Sequence, residues 1–246
     1  MEKFTVDGVV IRTSVTGESD RIVWILTRNR GIIRAFAKGA RGTKSRLHGG
    51  TSLFSYCSFS FSEKNDVYNV NEALIKEVFF DLRRSLETLT LAQYFCEVIE
   101  KCVPAECSEE EYMRLLLNSF FLLAKGEKSE ALIKSVFELR LCCIAGYMPS
   151  LLMCGECSEY STDIMHFNAE TGELFCSNCG RQASAPAFPL SVISAMRHIC
   201  FSDFTKIFSF QLNEKYIHKL SLITEQYLKN VMGQDFRLLR YYKDIK

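Results

Sequence analysis

The sequence predicts an α+β fold: a small five-stranded β-barrel, then a mostly helical region carrying an inserted four-cysteine metal element. Three observations predict it. Apolar residues recur with a period near two over the first eighty residues and near 3.6 from about Asp81 onward. Turn signals separate five short runs rich in β-branched and aromatic residues. Two Cys-x-x-Cys pairs, Cys154–Cys157 and Cys176–Cys179, stand eighteen residues apart.

The strands are expected in order. Phe4 to Thr13 is rich in β-branched residues, and Arg21 to Arg28 follows a turn at Thr16-Gly17-Glu18. Gly31 to Lys38 follows the turn Arg28-Asn29-Arg30-Gly31. After a loop through Gly39, Gly42 and Gly49-Gly50 come Leu53 to Phe61 and Val67 to Val70. Five short strands in a domain of this size fit a small closed barrel. On pattern alone an SH3-like barrel fits nearly as well.

Helices follow. Leu82, Leu86, Leu89, Cys96 and Ile99 recur at helical spacing, beside a second stripe of Leu91, Phe95, Val98 and Cys102, and Pro104 ends the segment. Ser108-Glu109-Glu110-Glu111 reads as a capping box opening a helix through Leu123. Ser129 is expected to cap a third helix, Glu130 to about Ala145, ended by Gly146 and Pro149. Another is expected near Leu190–Cys200, after Pro186 and Pro189. The last runs from Asn213 to Gly233, with Ile217, Leu220, Thr224, Leu228 and Val231 on one face.

The cysteine quartet points to a tetrahedral zinc site. Two residues between cysteines let a tight turn aim both sulfurs at one ion. The span between the pairs reads as a hairpin: Ile164–Asn168 as a strand, Glu170-Thr171-Gly172 as a turn, Glu173–Phe175 leading back. Gly180 is expected to free the backbone that closes the second turn. A redox pair needs no twin, and the other cysteines do not pair by spacing. His166 lies within the loop, but four thiolates already close the shell. A closed shell leaves no open position for chemistry, so one structural zinc is expected at Cys154, Cys157, Cys176 and Cys179.

Charge is uneven. Residues 1–80 hold 12 Lys+Arg against 8 Asp+Glu, and the remainder 18 against 21. No acidic residue lies between Arg21 and Ser62, a stretch holding Arg21, Arg28, Arg30, Arg34, Lys38, Arg41, Lys44 and Arg46. In the strand Ile32–Lys38, Ile33, Ala35 and Ala37 point one way, and Arg34, Phe36 and Lys38 the other. Cations beside an aromatic suit nucleic acid: phosphates take the charge and bases stack. The loop Lys38–Arg46 joins glycine mobility to four cations, and so can follow a flexible backbone. The competing reading is a solvated basic face. Trp24, Tyr56, Phe59 and Phe61 are more often core than platform in a small barrel.

Other classes find little support. Gly-x-x-x-x-Gly-Lys-Ser/Thr, Gly-x-Ser-x-Gly and His-Glu-x-x-His are absent, and the four histidines lie in unrelated contexts, so no enzyme is expected. No run of about twenty apolar residues suggests a membrane span. Many free cysteines, and no apolar signal core at the start, lead to the expectation of a reducing cytoplasm.

The motifs bear a family likeness. Gly8-Val9-Val10-Ile11-Arg12, Gly17-Glu18-Ser19-Asp20, Thr27-Arg28-Asn29-Arg30-Gly31, Ala37-Lys38-Gly39-Ala40-Arg41 and Lys44-Ser45-Arg46-Leu47 resemble the opening of the bacterial DNA repair protein RecO family. Phe137-Glu138-Leu139-Arg140 with Gly146-Tyr147-Met148-Pro149 is similar to its mid-chain signature. The resemblance implies an OB-fold at residues 1–80 and a helical domain at 81–246 containing the zinc element at 150–182. It implies a recombination mediator that binds single- and double-stranded DNA and anneals complementary strands. It further implies loading of RecA, with RecR, onto strands coated by single-stranded-DNA-binding protein, whose tail would dock on the helical domain. The cytoplasm, at the nucleoid during repair, is the implied location. The family's DNA-binding barrel maps onto Arg34, Lys38, Arg41, Lys44 and Arg46, and with Arg21, Arg28 and Phe36 from the acid-free stretch these are the expected DNA-binding residues. A zinc-ribbon protein adaptor with an RNA-binding barrel is the alternative.

Overall fold

The computed structural model describes residues 2–104, 110–182 and 185–246. By contacts the chain divides into two compact units, Met1–Lys125 with Arg237–Lys246, and Gly126–Phe236.

The first unit is built on five strands: β1 (Glu2–Thr16), β2 (Asp20–Thr27), β3 (Ile32–Ala37), β4 (Ser55–Lys64) and β5 (Val67–Val78). They close into a barrel in the order β1-β2-β3-β5-β4, every pairing antiparallel except β3 with β5. The interior holds Val6, Val10, Val23, Ile25, Ile33, Ala35, Ala37, Cys57, Phe59, Phe61 and Val70. Phe59 and Phe61 are therefore core. Gly8 faces Ile25 so closely that a Cβ would lie 2.5 Å from its Cγ2. The β4–β5 turn uses Asn65 and Asp66, both at positive φ, as a two-residue hairpin requires.

β5 runs eight residues beyond the expected Val70. Its later positions, Asn71, Glu72, Lys76 and Glu77, are polar and exposed, and register shifts opposite β4 break the alternation. Sequence periodicity fails where bulges change the facing side.

Between β3 and β4 the chain closes one end of the barrel with Ala40 and Leu47. This loop is tied down. Asp20 Oδ1 accepts from the Gly39 N–H at 2.7 Å, and Arg41 donates its backbone N–H to Ser19 at 2.9 Å. Thr51 Oγ1 donates to the Leu47 carbonyl at 2.7 Å. The mobility expected from its glycines is thus restrained by a network that only the folded barrel supplies.

A single 3₁₀ turn (Phe80–Arg83) leads to α1 (Leu86–Cys102), capped by the Ser85 hydroxyl, and then to α2 (Glu110–Lys125). The expected capping residues Ser108 and Glu109 lie outside the described residues. Phe54, from the barrel-closing loop, meets Phe120 of α2 edge-on at 5.0 Å. A terminal helix not expected from the sequence, α7 (Arg237–Ile245), packs on α1.

In the second unit α3 (Glu130–Ile144), capped by Ser129 as expected, packs on α6 (Glu214–Met232) and α5 (Leu190–Phe201). Asn213 caps α6, and Gly233 ends it in the left-handed conformation. Between α3 and α5 lies a small sheet, β6 (Ile164–Asn168), β7 (Glu173–Cys176) and β8 (Ala187–Pro189), in the order β7-β6-β8, with α4 (Cys179–Gln182) after β7. The β6–β7 hairpin matches the sequence reading, with Gly172 at positive φ in its turn; β8 was not expected.

Candidate nucleic-acid interface and metal centre

A bulge decides what the outer barrel face presents. Val10 pairs with Ile25 and lies in the core, yet Arg12, two residues on, pairs with Trp24 on the outside. The register shifts between them, so Ile11 is the extra residue that reverses the alternation. Trp24 in turn pairs with Arg34. One outer row across β1, β2 and β3 therefore reads Arg12–Trp24–Arg34, and the next reads Ser14–Ile22–Phe36.

The indole is half-buried between two cations. The Arg12 guanidinium carbon lies 4.4 Å from the ring centroid and that of Arg34 5.6 Å, distances at which the ring face attracts positive charge. Arg12 Nη1 also reaches Glu100 Oε1 on α1 at 2.7 Å. Beside Arg34 and Phe36 a crevice of about 310 Å³ opens toward the β4–β5 turn, lined also by Arg30, Asp66 and Tyr68. Arg30 stacks on Phe4 at 4.1 Å.

The eight residues singled out in the sequence fall into two groups. Arg34, Lys38, Arg41, Lys44 and Arg46 are exposed, and Phe36 is half-buried on the same outer face of β3 as Arg34. Arg41 spends one donor on the Glu18 carbonyl at 2.8 Å. Arg21 and Arg28 differ. Arg21 turns into the structure, donating to the His48 carbonyl at 3.0 Å and to Thr51 Oγ1 at 3.2 Å. Burial, then repulsion from Arg41, lowers its pKa. Arg28 pairs with Glu110 at 3.0 Å. Trp24, expected more as core than as platform, stands half-buried in the outer row, and Arg12 carries no signal in the sequence. Arg12 precedes the acid-free stretch, and the bulge that turns it outward leaves no local signature.

The four cysteines come together. Their sulfurs all lie within 4.8 Å of one another, and Cys157 and Cys176 are 3.7 Å apart. An ion with metal–sulfur bonds of about 2.3 Å in a tetrahedron sets sulfur–sulfur edges of about 3.8 Å, so the quartet could hold one metal ion. Backbone geometry aims the sulfurs: Ser158 N–H donates to the Cys154 carbonyl at 3.0 Å, and Cys179 N–H to Cys176 Sγ at 3.5 Å. Burial raises the Cys154 pKa, but backbone donors at Cys157, Cys176 and Glu156 outweigh it and bring the thiol down to about 6. The Cys179 thiol donates to the Cys176 and Cys157 sulfurs, which pushes its pKa up to about 12.

His166 is not in the cluster; its Nδ1 lies 2.6 Å from the Ala185 carbonyl. Gly180 corrects an expectation. It is not among the glycines at positive φ, and its smallness serves close packing, because a Cβ there would collide with the His166 ring.

The comparisons with known proteins agree across the chain. The family model described as "Recombination protein O N terminal" matches residues 1–79, and "Recombination protein O C terminal" matches residues 83–240. A protein called "DNA repair protein RecO" from Acetivibrio thermocellus is 32% identical over 246 residues, covering 100% of this chain and 98% of the relative. A protein of the same name from Alkaliphilus metalliredigens is 30% identical over 224 residues, with 90% and 91% covered. Another, from Caldicellulosiruptor saccharolyticus, is 26% identical over 239 residues, with 97% of each covered.

Proposed function

The chain belongs to the RecO family of DNA repair and recombination proteins, and from that premise we propose that its barrel binds single- and double-stranded DNA and anneals complementary strands. The observation that carries the reading is the outer row Arg12–Trp24–Arg34, continued by the exposed Lys38, Arg41, Lys44 and Arg46. Cations there neutralise the repulsion between two phosphate backbones, and Trp24 and Phe36 offer ring faces to unpaired bases. Arg21, turned into the fold, contributes less than the others, whereas Arg28, exposed beside Glu110, stays within reach of a strand. No bond-making step is assigned to the protein, and no residue is given a catalytic role.

The wider role follows the family. The protein would load RecA, together with RecR, onto strands coated by single-stranded-DNA-binding protein, whose acidic tail would dock on the helical part. The functional division is a DNA-binding barrel at residues 1–80 and a helical part at 81–246 containing the zinc element at 150–182. We take the ion at Cys154, Cys157, Cys176 and Cys179 to be one zinc that holds the β6–β7 hairpin to its flanking turns; four thiolates suit its softness and tetrahedral preference. No helix among the described residues is long and apolar enough to cross a membrane. We place the protein in the cytoplasm, at the nucleoid during repair.

Strand annealing, with and without the single-stranded-DNA-binding protein, is the test. Reversing Arg34, Lys38 and Arg41 to Glu abolishes annealing and DNA binding while the chain stays folded. Six phosphate contacts give a log–log salt slope of about −4 on single strands. A slope near zero, or the Glu variant annealing like the parent, rules the reading out. Arg21→Gln should instead lower stability more than affinity.

A further inference from the structure

We infer that Glu100 gates the Trp24 stacking surface: it holds the Arg12 guanidinium over the indole, and a single strand must draw Arg12 away before an unpaired base stacks there. The inference rests on the proposed DNA-binding role of the barrel and deepens it by naming what regulates that face.

The geometry is specific. Arg12 is held from two sides, by Glu100 Oε1 at 2.7 Å and by the indole at 4.4 Å. Arg34 stands farther off at 5.6 Å and has no such tether among the described residues. The side on which Arg12 sits is therefore the covered one. Glu100 is fixed on α1, so it sets where the guanidinium rests.

The tether is also easily exchanged. The two side chains are 54% and 32% exposed, and exposed ion pairs contribute little net stability. A phosphate offers a guanidinium the same paired acceptors as a carboxylate. A strand arriving on the basic face can thus take Arg12 from Glu100, which moves the guanidinium off the ring. An unpaired base can then stack on the indole; a base inside a duplex is already stacked and cannot. Opening the gate rewards single strands and gives a duplex only one more cation.

Trp24 is the only tryptophan in the chain, so its fluorescence reports on this surface alone. The full chain is titrated with oligothymidylate and with a duplex of the same length, following emission and affinity together. The expected result is quenching by the single strand and little by the duplex. Glu100→Gln should tighten single-strand binding about 2–5-fold, the worth of an exposed pair. That gain should vanish in an Arg12→Gln background. Glu72→Gln, which removes an equal charge from the exposed face of β5, should leave affinity unchanged. If Glu72→Gln tightens binding as much, or the gain survives without Arg12, the effect is diffuse electrostatics and the gate is overturned. If strands bind while the indole emission stays constant, it is overturned too, with the barrel reading intact. If the triple Glu reversal at Arg34, Lys38 and Arg41 leaves binding untouched, both fall.

Discussion

The Glu97 carboxylate on α1 accepts a hydrogen bond from the backbone N–H of Leu238 at 3.0 Å. Its other oxygen takes the Arg237 N–H at 3.2 Å. A side chain 140 residues away in sequence thereby satisfies two of the donors that the start of α7 leaves open, and places negative charge at the positive end of the helix dipole. A helix of nine residues does not hold itself together in water. This cap, with the burial of Leu239 and Tyr242, fixes α7 on the first unit.

Glu97→Ala should therefore destabilise the first unit by about 1–2 kcal/mol, and Glu97→Gln, which keeps an acceptor, by less. Hydrogen exchange reads it directly. The amides of Arg237 and Leu238 should lose protection first, and unchanged protection there would remove the cap from the account of α7.

A second consequence concerns the ion cluster between α3 and α6. Lys134 Nζ lies 2.9 Å from Glu138 and 3.2 Å from Glu225, and Thr224 Oγ1 donates to Glu138 at 2.8 Å. Lys134 and Glu138 are almost wholly buried. Lys134→Met strips a buried carboxylate of its ammonium and should cost about 3–5 kcal/mol. Adding Glu138→Gln should recover much of the loss, since a neutral amide avoids the buried charge. Urea unfolding of the single and double variants checks both halves, and a double variant worse than the single would contradict the cause given.

Removing the proposed zinc should act on the second unit. A strong chelator, or Cys154→Ser with Cys176→Ser, is expected to lower the thermal midpoint of that unit, because structural metal binding is folding free energy. Binding of oligothymidylate by the barrel should stay near the parent value. Metal analysis should return one zinc per chain. Protein that keeps its melting behaviour without metal but loses DNA binding would reverse the assignment of roles.

Acid should loosen the loop that carries the basic residues. The Gly39 backbone N–H, then the Ser19 hydroxyl, hold the Asp20 pKa below its ordinary value of 3.8. A carboxylate depressed in the folded state contributes stability above its unfolded pKa and loses it as pH falls through the folded one. The stability gap between the parent and Asp20→Asn should thus be constant near neutrality and shrink below about pH 4. Thermal melts of both proteins across acid pH test this; a gap that widens on acidification would have the wrong sign.

The features legible in the sequence share one property: they are local. The alternation of Ile33, Ala35 and Ala37 against Arg34 and Phe36 repeats every two residues along one strand, and the structure keeps it. Ser129 and Asn213 lie beside the helices they cap. The hairpin from Ile164 to Cys176 closes over a few residues. What escaped was non-local or broke the period. The far half of β5 is hidden by polar outer positions and shifted registers. The role of Gly180 depends on a ring fourteen positions upstream in chain order, on another element.

By itself the sequence determined the barrel-then-helices order, the cysteine quartet with its hairpin, and the acid-free basic stretch. Each follows from side-chain period, spacing or composition, which folding cannot alter. Tertiary structure decided which cations face outward together. It turned Arg21 in toward His48 and Thr51, paired Arg28 with Glu110, and used one bulged residue, Ile11, to bring Arg12 beside Trp24. Strand register is set by pairing between distant segments, and a single-residue slip reverses a whole face. The Arg12–Trp24–Arg34 row, and the hold of Glu100 upon it, exist only once the barrel has closed.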